Sequence, residues 1–366
     1  MNKNVKVIAF YLPQYHPFPE NEEWWGKGFT EWTNVGKAKK LFPGHYQPHV
    51  PADLGYYDLR LSEVMVQQTE MAKAYGVSAF CIYHYWFGDG RVLMERPLND
   101  MLELKSPDFP FLLCWANHSW ENKNWNSAAQ RMDRKMLIEQ KYLGLDDAEK
   151  QFYYLLDAFK DDRYFKIKGR LAYVFYRADM IPYYKEMCDL WNKLAEENGL
   201  PGFYFISNVS DMSLLNHPAN LYMESNCLCL MSEVWGGYTS LMNRVREKLS
   251  KIIGVPTRVV SYKKAIEKMV SKRFSENRIM PVVVPNWDHS PRLGANGTIF
   301  HNSTPNLFEK LFSQTIDLVK EKSDDERIVF VKSWNEWAEG NHLEPDLRYG
   351  TGYLEAIKRG LLNFEK

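Results

Sequence analysis

The sequence predicts one (β/α)8 barrel of the TIM type, a single α/β domain over residues 1–366. Short apolar runs alternate with longer amphipathic stretches along the whole chain, as parallel strands joined by helical crossovers do. Eight of these runs are nearly continuously apolar, which fits strands covered on both faces, and eight strands are enough to close a barrel. Polar and aromatic residues gather just after the C-terminal ends of at least five runs, the end of a barrel where active sites form.

The strands are expected at 6–12, 77–85, 110–115, 171–176, 203–207, 221–223, 279–285 and 328–332. Helical patterns fall at 62–75, 147–159, 182–198, 261–273, 306–321 and 351–363. Pro182 suits a helix start and Gly199-Leu200-Pro201 a helix stop. Two elements are faintly written: the sixth strand, around Met223-Glu224-Ser225, and the helix after Arg91. Segment 13–57 is a long aromatic excursion from the first strand, and long loops inside compact domains usually carry function. Segment 231–256, with Trp235-Gly236-Gly237-Tyr238, reads as a second insertion. No internal repeat or low-complexity linker divides the chain.

Composition narrows the function. Lys plus Arg and Asp plus Glu each total 46, so the chain lacks the basic excess of a nucleic-acid binder. No apolar stretch approaches the roughly 20 residues of a membrane span, and no signal-peptide pattern precedes Val5-Lys6-Val7. Five cysteines, an odd number, read as reduced thiols, so a cytoplasmic address is expected. The 12 Trp, 22 Tyr and 20 Phe often stand beside Asn, His and Glu, which points part of this aromatic set at a ligand.

The densest chemistry is Ser333-Trp334-Asn335-Glu336-Trp337-Ala338-Glu339-Gly340, placed where the eighth strand must end. Two carboxylates three residues apart supply the acid and the charge partner that acetal chemistry requires, which makes Glu336 and Glu339 the catalytic candidates. The competing reading takes Ser333 and Glu336 as a capping box and the tryptophans as core. Candidate substrate-binding residues come from the rim clusters: Tyr11, Gln14, Tyr15 and His16; Tyr83, His84 and Trp86; Trp115, Asn117 and His118; Asn286, Trp287 and Asp288; Asn335 and Trp337. Trp25 and Trp235 sit in the excursions and are candidates for stacking on sugar, or else pin their own loops. Glu224 is either a third rim acid or a solvated residue.

No metal and no cofactor is expected. His45 and His49 are four apart, but Pro48 breaks any helix between them and no His-Glu-x-x-His occurs. Gly-x-Gly-x-x-Gly, Walker and Gly-x-Ser-x-Gly patterns are missing as well.

The motifs together resemble the WbsX-type proteins of bacterial polysaccharide biosynthesis loci, whose domain is similar to glycoside hydrolase family 99. The residues that carry the likeness are Ala9-Phe10-Tyr11-Leu12-Pro13-Gln14-Tyr15-His16, Trp24-Trp25-Gly26-Lys27-Gly28-Phe29-Thr30-Glu31-Trp32, Tyr83-His84-Tyr85-Trp86-Phe87, Cys114-Trp115-Ala116-Asn117 and Trp334-Asn335-Glu336-Trp337-Ala338-Glu339-Gly340 with Leu343-Glu344-Pro345. The resemblance implies a (β/α)8 barrel and retaining cleavage of an α-mannosidic bond. It assigns Glu336 to assisting the sugar's own 2-hydroxyl, and Glu339 to protonating the leaving oxygen and then activating water. Glu339 would then need a proton at working pH, from burial or a neighbouring anion. Two departures are Ala338, where the hydrolases commonly have His, and His118, where many WbsX-type members have Glu.

The expectation is therefore a retaining glycoside hydrolase acting on an oligosaccharide or polysaccharide, with an α-linked, manno-configured bond in a bacterial glycan as substrate. The alternatives are a glycosyltransferase of O-antigen or capsule assembly and a non-catalytic sugar-binding barrel. Against the transferase stand the missing Asp-x-Asp motif and the lack of clustered Arg or Lys at the expected rim.

Overall fold

The computed structural model describes residues 4–126, 131–235 and 255–364, with the side chains of 122–134 set aside. Eight parallel strands close on themselves: β1 (Lys6–Tyr11), β2 (Ala79–Trp86), β3 (Phe111–Trp115), β4 (Arg170–Phe175), β5 (Phe203–Val209), β6 (Ser225–Leu228), β7 (Ile279–Val283) and β8 (Ile328–Val331). Each pairs with the next, and β8 returns to β1 with Lys6 opposite Ile328 and Ala9 opposite Val331. Closure leaves no sheet edge exposed in the barrel. The fold is the (β/α)8 barrel expected from the alternation of apolar runs.

Strand periodicity sorts the side chains into two layers. In β2, Cys81 points inward beside Cys114 and Cys227, whereas Trp86 on the opposite face donates its indole N–H to Asp147 on the covering helix Leu145–Tyr154 at 3.0 Å. All five cysteines are buried and unpaired. The outer layer is aromatic on one side of the barrel. Tyr173 and Trp191 have ring centroids 4.9 Å apart, as do Phe159 and Phe203. Truncating the fully buried Trp191 to alanine would cost roughly 3–5 kcal/mol.

Three expected elements differ, one of them the helix at 261–273, which is Tyr262–Lys268 followed by a 3-10 turn over Lys272–Ser275. Residues 221–223 are not a strand: Pro218 opens a short helix, Pro218–Tyr222, and the sixth strand is Ser225–Leu228. Its polar residues are buried in matched pairs, Ser225 with Tyr204 at 2.7 Å and Asn226 with Ser207 at 2.8 Å, so it does not read as apolar. The helix expected at 147–159 is two, Leu145–Tyr154 and Leu156–Phe159. The excursion after β1 contains the short helices Pro19–Trp25 and Glu31–Gly36. Of the second insertion, Met231–Trp235 is helical and 236–254 lie outside the described residues. No helix among the described residues is long and apolar enough to cross a membrane.

Candidate active site

Beyond β8 the chain bends over the rim and is tied to the end of β1. Trp334 donates its backbone N–H to Phe10 O at 2.8 Å. Asn335 clamps Leu12 in both directions, accepting its N–H at 2.8 Å and donating to its carbonyl at 3.0 Å. A tight turn over Trp337–Glu339 follows and ends at Gly340, whose φ is 64°. A Cβ there would lie 2.8 Å from Cβ of Asp288, so both the conformation and the space require glycine. The capping reading of Ser333 is half observed. Its Oγ accepts the Glu336 N–H at 2.8 Å, but its own N–H goes to Asn341 O and the Glu336 carboxyl turns towards Glu339.

The two glutamate carboxyls face each other at the mouth of the barrel. Burial, and then the charge of Glu339, push the Glu336 carboxyl up to about 8. Glu339 moves the other way. Burial opposes its charge, but Arg292, His289 and Lys332 outweigh burial and hold it well below the usual carboxylate range. Arg292 Nη1 stands 2.5 Å from Glu339 Oε1, and its Nη2 is 3.1 Å from Glu31 Oε2. His289 Nε2 is 3.6 Å from the same Glu339 oxygen. The ammonium of Lys332 lies 5.3 Å from the Trp287 ring centroid and 5.9 Å from that of Tyr176. Arg292 sits on Glu339 and not on Glu336, so in this state the surroundings favour the charge on Glu339 and the proton on Glu336.

The structure divides the sequence candidates into those that reach this mouth and those that support it. Tyr83 sits against the pair, with the Glu336 charge among the causes that raise its phenol after burial. Trp287 flanks Lys332, and His118 is exposed at the rim with its ring 5.2 Å from that of Tyr176. Tyr11 does not reach the rim: it is fully buried and donates its hydroxyl to Gln68 at 2.8 Å. His84, Trp86 and Trp115 point away from the barrel interior. His84 bonds the Tyr173 hydroxyl at 2.7 Å, and burial lowers its imidazole to about 3. Trp115 donates to Trp86 O at 2.9 Å.

Other candidates hold the frame. Tyr15 donates to Asn335 O and accepts the Trp337 N–H at 3.1 Å. Gln14 is buried against Asn21 at 3.3 Å, and His16 is buried beside Phe18. Asn117 joins its loop to Arg177, donating to Arg177 O and accepting its N–H, both at 2.8 Å. Asp288 is 2% exposed and already accepts from Gln47 at 2.8 Å and Ser290 N–H at 2.9 Å, with His45 at 2.7 Å, so it locks the long excursion to the rim. Trp337 is buried, donates its indole N–H to Glu344 at 2.6 Å and stacks on His342 at 3.6 Å. Its face is therefore taken by another ring, and Trp334 is equally buried. Trp25 stacks on Phe29 and Trp235 on Phe300, which is the loop-pinning role. Asn286 lines a small cavity behind the rim, apart from the glutamate pair. Glu224 lies at the opposite end of the barrel, bonded to Arg170 at 2.7 Å and to Phe205 N–H at 2.9 Å.

Sequence reasoning missed Arg292, Lys332, Glu31, Tyr85 and Tyr176. The expectation of no clustered cations at the rim is overturned by Lys332 and Arg292, with Arg177 nearby paired to Asp179 at 2.7 Å. Lys332 was legible as the residue closing the eighth strand, and Tyr85 by its two-residue spacing from Tyr83. From Tyr85, which faces the barrel mouth, the aromatic surface continues along the rim, its ring 5.3 Å from Trp120, which packs 5.8 Å from Trp24.

The closed (β/α)8 barrel is a glycoside-hydrolase-like fold. Over 98% of this chain it superposes on 97% of a GH99 endo-alpha-mannosidase from Bacteroides thetaiotaomicron, with a TM-score of 0.60 and 13% identity. A protein described as "Glycoside hydrolase-like protein" aligns over 98% of this chain and 94% of its own, with a TM-score of 0.58 and 12% identity. Residues 7–357 match the family described as Glycosyltransferase WbsX, and the chain belongs to that family. It is 31% identical over 97% of its length to "Uncharacterized protein WxcX" of Xanthomonas campestris pv. campestris. The chain spans about half the length of the curated relatives it matches, covering 49% of that protein.

Proposed function

We propose that the protein is a retaining glycoside hydrolase that breaks an α-linked, manno-configured bond in a bacterial glycan. The observation that carries this reading is the Glu336–Glu339 pair, a buried and a partly exposed carboxyl side by side at the mouth of a GH99-like barrel, where burial and their proximity favour one proton between them. One proton is what a substrate-assisted cleavage needs. When it sits on Glu339, that acid protonates the leaving oxygen while Glu336 takes the proton of the sugar 2-hydroxyl, whose oxygen closes on the anomeric carbon as the glycosidic bond breaks. The pair then again holds one proton, now on Glu336, with Glu339 ionised to draw a proton from water. That second state is the protonation pattern of the free protein. Moving the proton to Glu339 for the first step requires Arg292 to lean towards Glu31, its other partner. Tyr176 and Trp120, both part-exposed at the rim, supply apolar faces for sugar C–H groups, backed by the buried rings of Tyr83 and Tyr85.

The family description favours a second reading, a glycosyltransferase, and Lys332 and Arg292 offer charge to a nucleotide diphosphate. Both cations already face carboxylates or rings, which favours the hydrolase. Proton NMR of the first-formed product from α-mannosyl oligosaccharides, with calorimetry against UDP, GDP and their sugars, tests the choice. The α-anomer appearing first, with no nucleotide heat, supports the hydrolase. Micromolar nucleotide binding with no glycan release overturns it.

A further inference from the structure

Behind the catalytic turn two rim segments meet at a pair of buried imidazoles that the proposed chemistry leaves unused. His49 belongs to the excursion after β1, and His342 and Asp346 follow β8; they are 4%, 3% and 3% exposed. One donor atom from each lies within 4.8 Å of the other two. His49 Nδ1 and His342 Nε2 are 2.9 Å apart. The second nitrogen of His342, Nδ1, is 2.9 Å from Glu344 O. A carbonyl only accepts, so Nδ1 carries the hydrogen and Nε2 presents a lone pair towards His49. A ring whose far N–H is spent on a backbone carbonyl is oriented as metal-binding histidines are.

The surroundings favour a cation. His49, His342, Asp346 and Asn286 line one cavity of about 30 Å³. Asn286 is 9% exposed, and its Oδ1 is buried with no hydrogen-bond partner among the described residues. Asp346 is held in place by the N–H groups of Arg348 at 2.9 Å and Tyr349 at 2.7 Å. Two imidazoles, a carboxylate and an orphaned amide oxygen all offer electron pairs to a space large enough for one ion with a water.

We propose that His49, His342 and Asp346 hold a divalent transition-metal ion, zinc by the chemistry of the set, as a structural staple between the two rim segments. Mixed imidazole and carboxylate donors suit zinc over calcium or magnesium, which take oxygen ligands. Binding at His49 Nδ1 shifts that ring's hydrogen to Nε2. His342 stacks face to face on Trp337, with ring centroids 3.6 Å apart, so the staple stiffens the turn that lies between Glu336 and Glu339.

The test uses the full chain purified without a histidine tag, stripped with a chelator, and equilibrated with zinc chloride before gel filtration. Mass-spectrometric metal analysis should give about one zinc per chain, and thermal unfolding should rise by several degrees over the stripped protein. His49→Gln and Asp346→Asn should each bind at least tenfold more weakly in chromophoric-chelator competition, whereas His217→Gln, a surface imidazole outside the set, should bind as the parent does. Less than a tenth of an equivalent of zinc with an unchanged melting temperature overturns the proposal in the parent protein alone, whatever the variants do. Full zinc binding retained by both His49→Gln and Asp346→Asn overturns it too.

Discussion

Replacing Arg292 by glutamine removes the cation that separates the two glutamates electrostatically. Its guanidinium reaches Glu339 at 2.5 Å and Glu31 at 3.1 Å, with the Arg292, Glu339 and Glu31 side chains 26%, 12% and 4% exposed. Removing one partner of a buried ion pair costs about 3–5 kcal/mol, and the exposure of Arg292 trims this to about 2–4 kcal/mol at pH 8. The sign with pH follows from Glu339. Its carboxyl is held low in the folded protein, so its pairing stabilises the fold above the ordinary carboxylate pKa and is lost as pH falls. Without Arg292, only His289, Lys332 and the contact with Glu336 are left to oppose burial, so that carboxyl rises and the variant takes up a proton that the parent does not. The deficit should therefore shrink to below about 1 kcal/mol near pH 5. Urea unfolding followed by tryptophan fluorescence at pH 5, 6.5 and 8 measures it. A deficit that is equal at pH 5 and pH 8, or absent at pH 8, would refute the assigned charge pattern.

Other substitutions address separate parts of the site. In Glu336→Gln, stability should fall less with rising pH than in the parent. The parent's raised carboxyl contributes fully below the ordinary carboxylate range and is lost as pH climbs through about 8, so the curves should converge in acid. Parallel denaturation curves from pH 5 to 9 would contradict this. Gly340→Ala should destabilise by about 1–3 kcal/mol and depress turnover, since a positive φ and the 2.8 Å approach to Asp288 both resist a side chain. Turnover at parental level with unchanged thermal stability would count against it. His84→Phe should cost about 1–2 kcal/mol by leaving the Tyr173 hydroxyl with only the 3.5 Å bond from Gln151, yet leave turnover intact because His84 points outward. A large loss of turnover in a folded His84→Phe protein would return that residue to the site.

The barrel was legible because seven of its strands are written in aliphatic and aromatic residues buried on both faces. The sixth was hidden by Ser225 and Asn226, whose polarity is cancelled by Tyr204 and Ser207, contacts invisible in a local window. At the rim, the position of the two glutamates followed from their place after β8. Which aromatic neighbours join them was misread by treating Tyr83-His84-Tyr85-Trp86 as one cluster, when alternation sends Tyr83 and Tyr85 inward and His84 and Trp86 outward. Asp288 and Asn335 looked like ligand-binding groups, but the partners of Asp288, His45 and Gln47, come from the excursion after β1, and that of Asn335, Leu12, from the end of β1. Long-range ion pairs were the least visible: nothing in the spacing of Glu31, Arg292 and Glu339 marks them as one unit. The same holds for His49, His342 and Asp346.

Everything proposed for this site depends on the Glu336–Glu339 pair cleaving a glycosidic bond. The most direct test is glycan release over a panel of α-linked oligosaccharides in ¹⁸O water, read by mass spectrometry for the parent, Glu336→Ala and Glu339→Ala. The parent should place one ¹⁸O atom in each new reducing end, and both variants should lose at least a hundredfold in release while their circular dichroism stays parental. Release that persists at near-parental rate in either folded variant would contradict it.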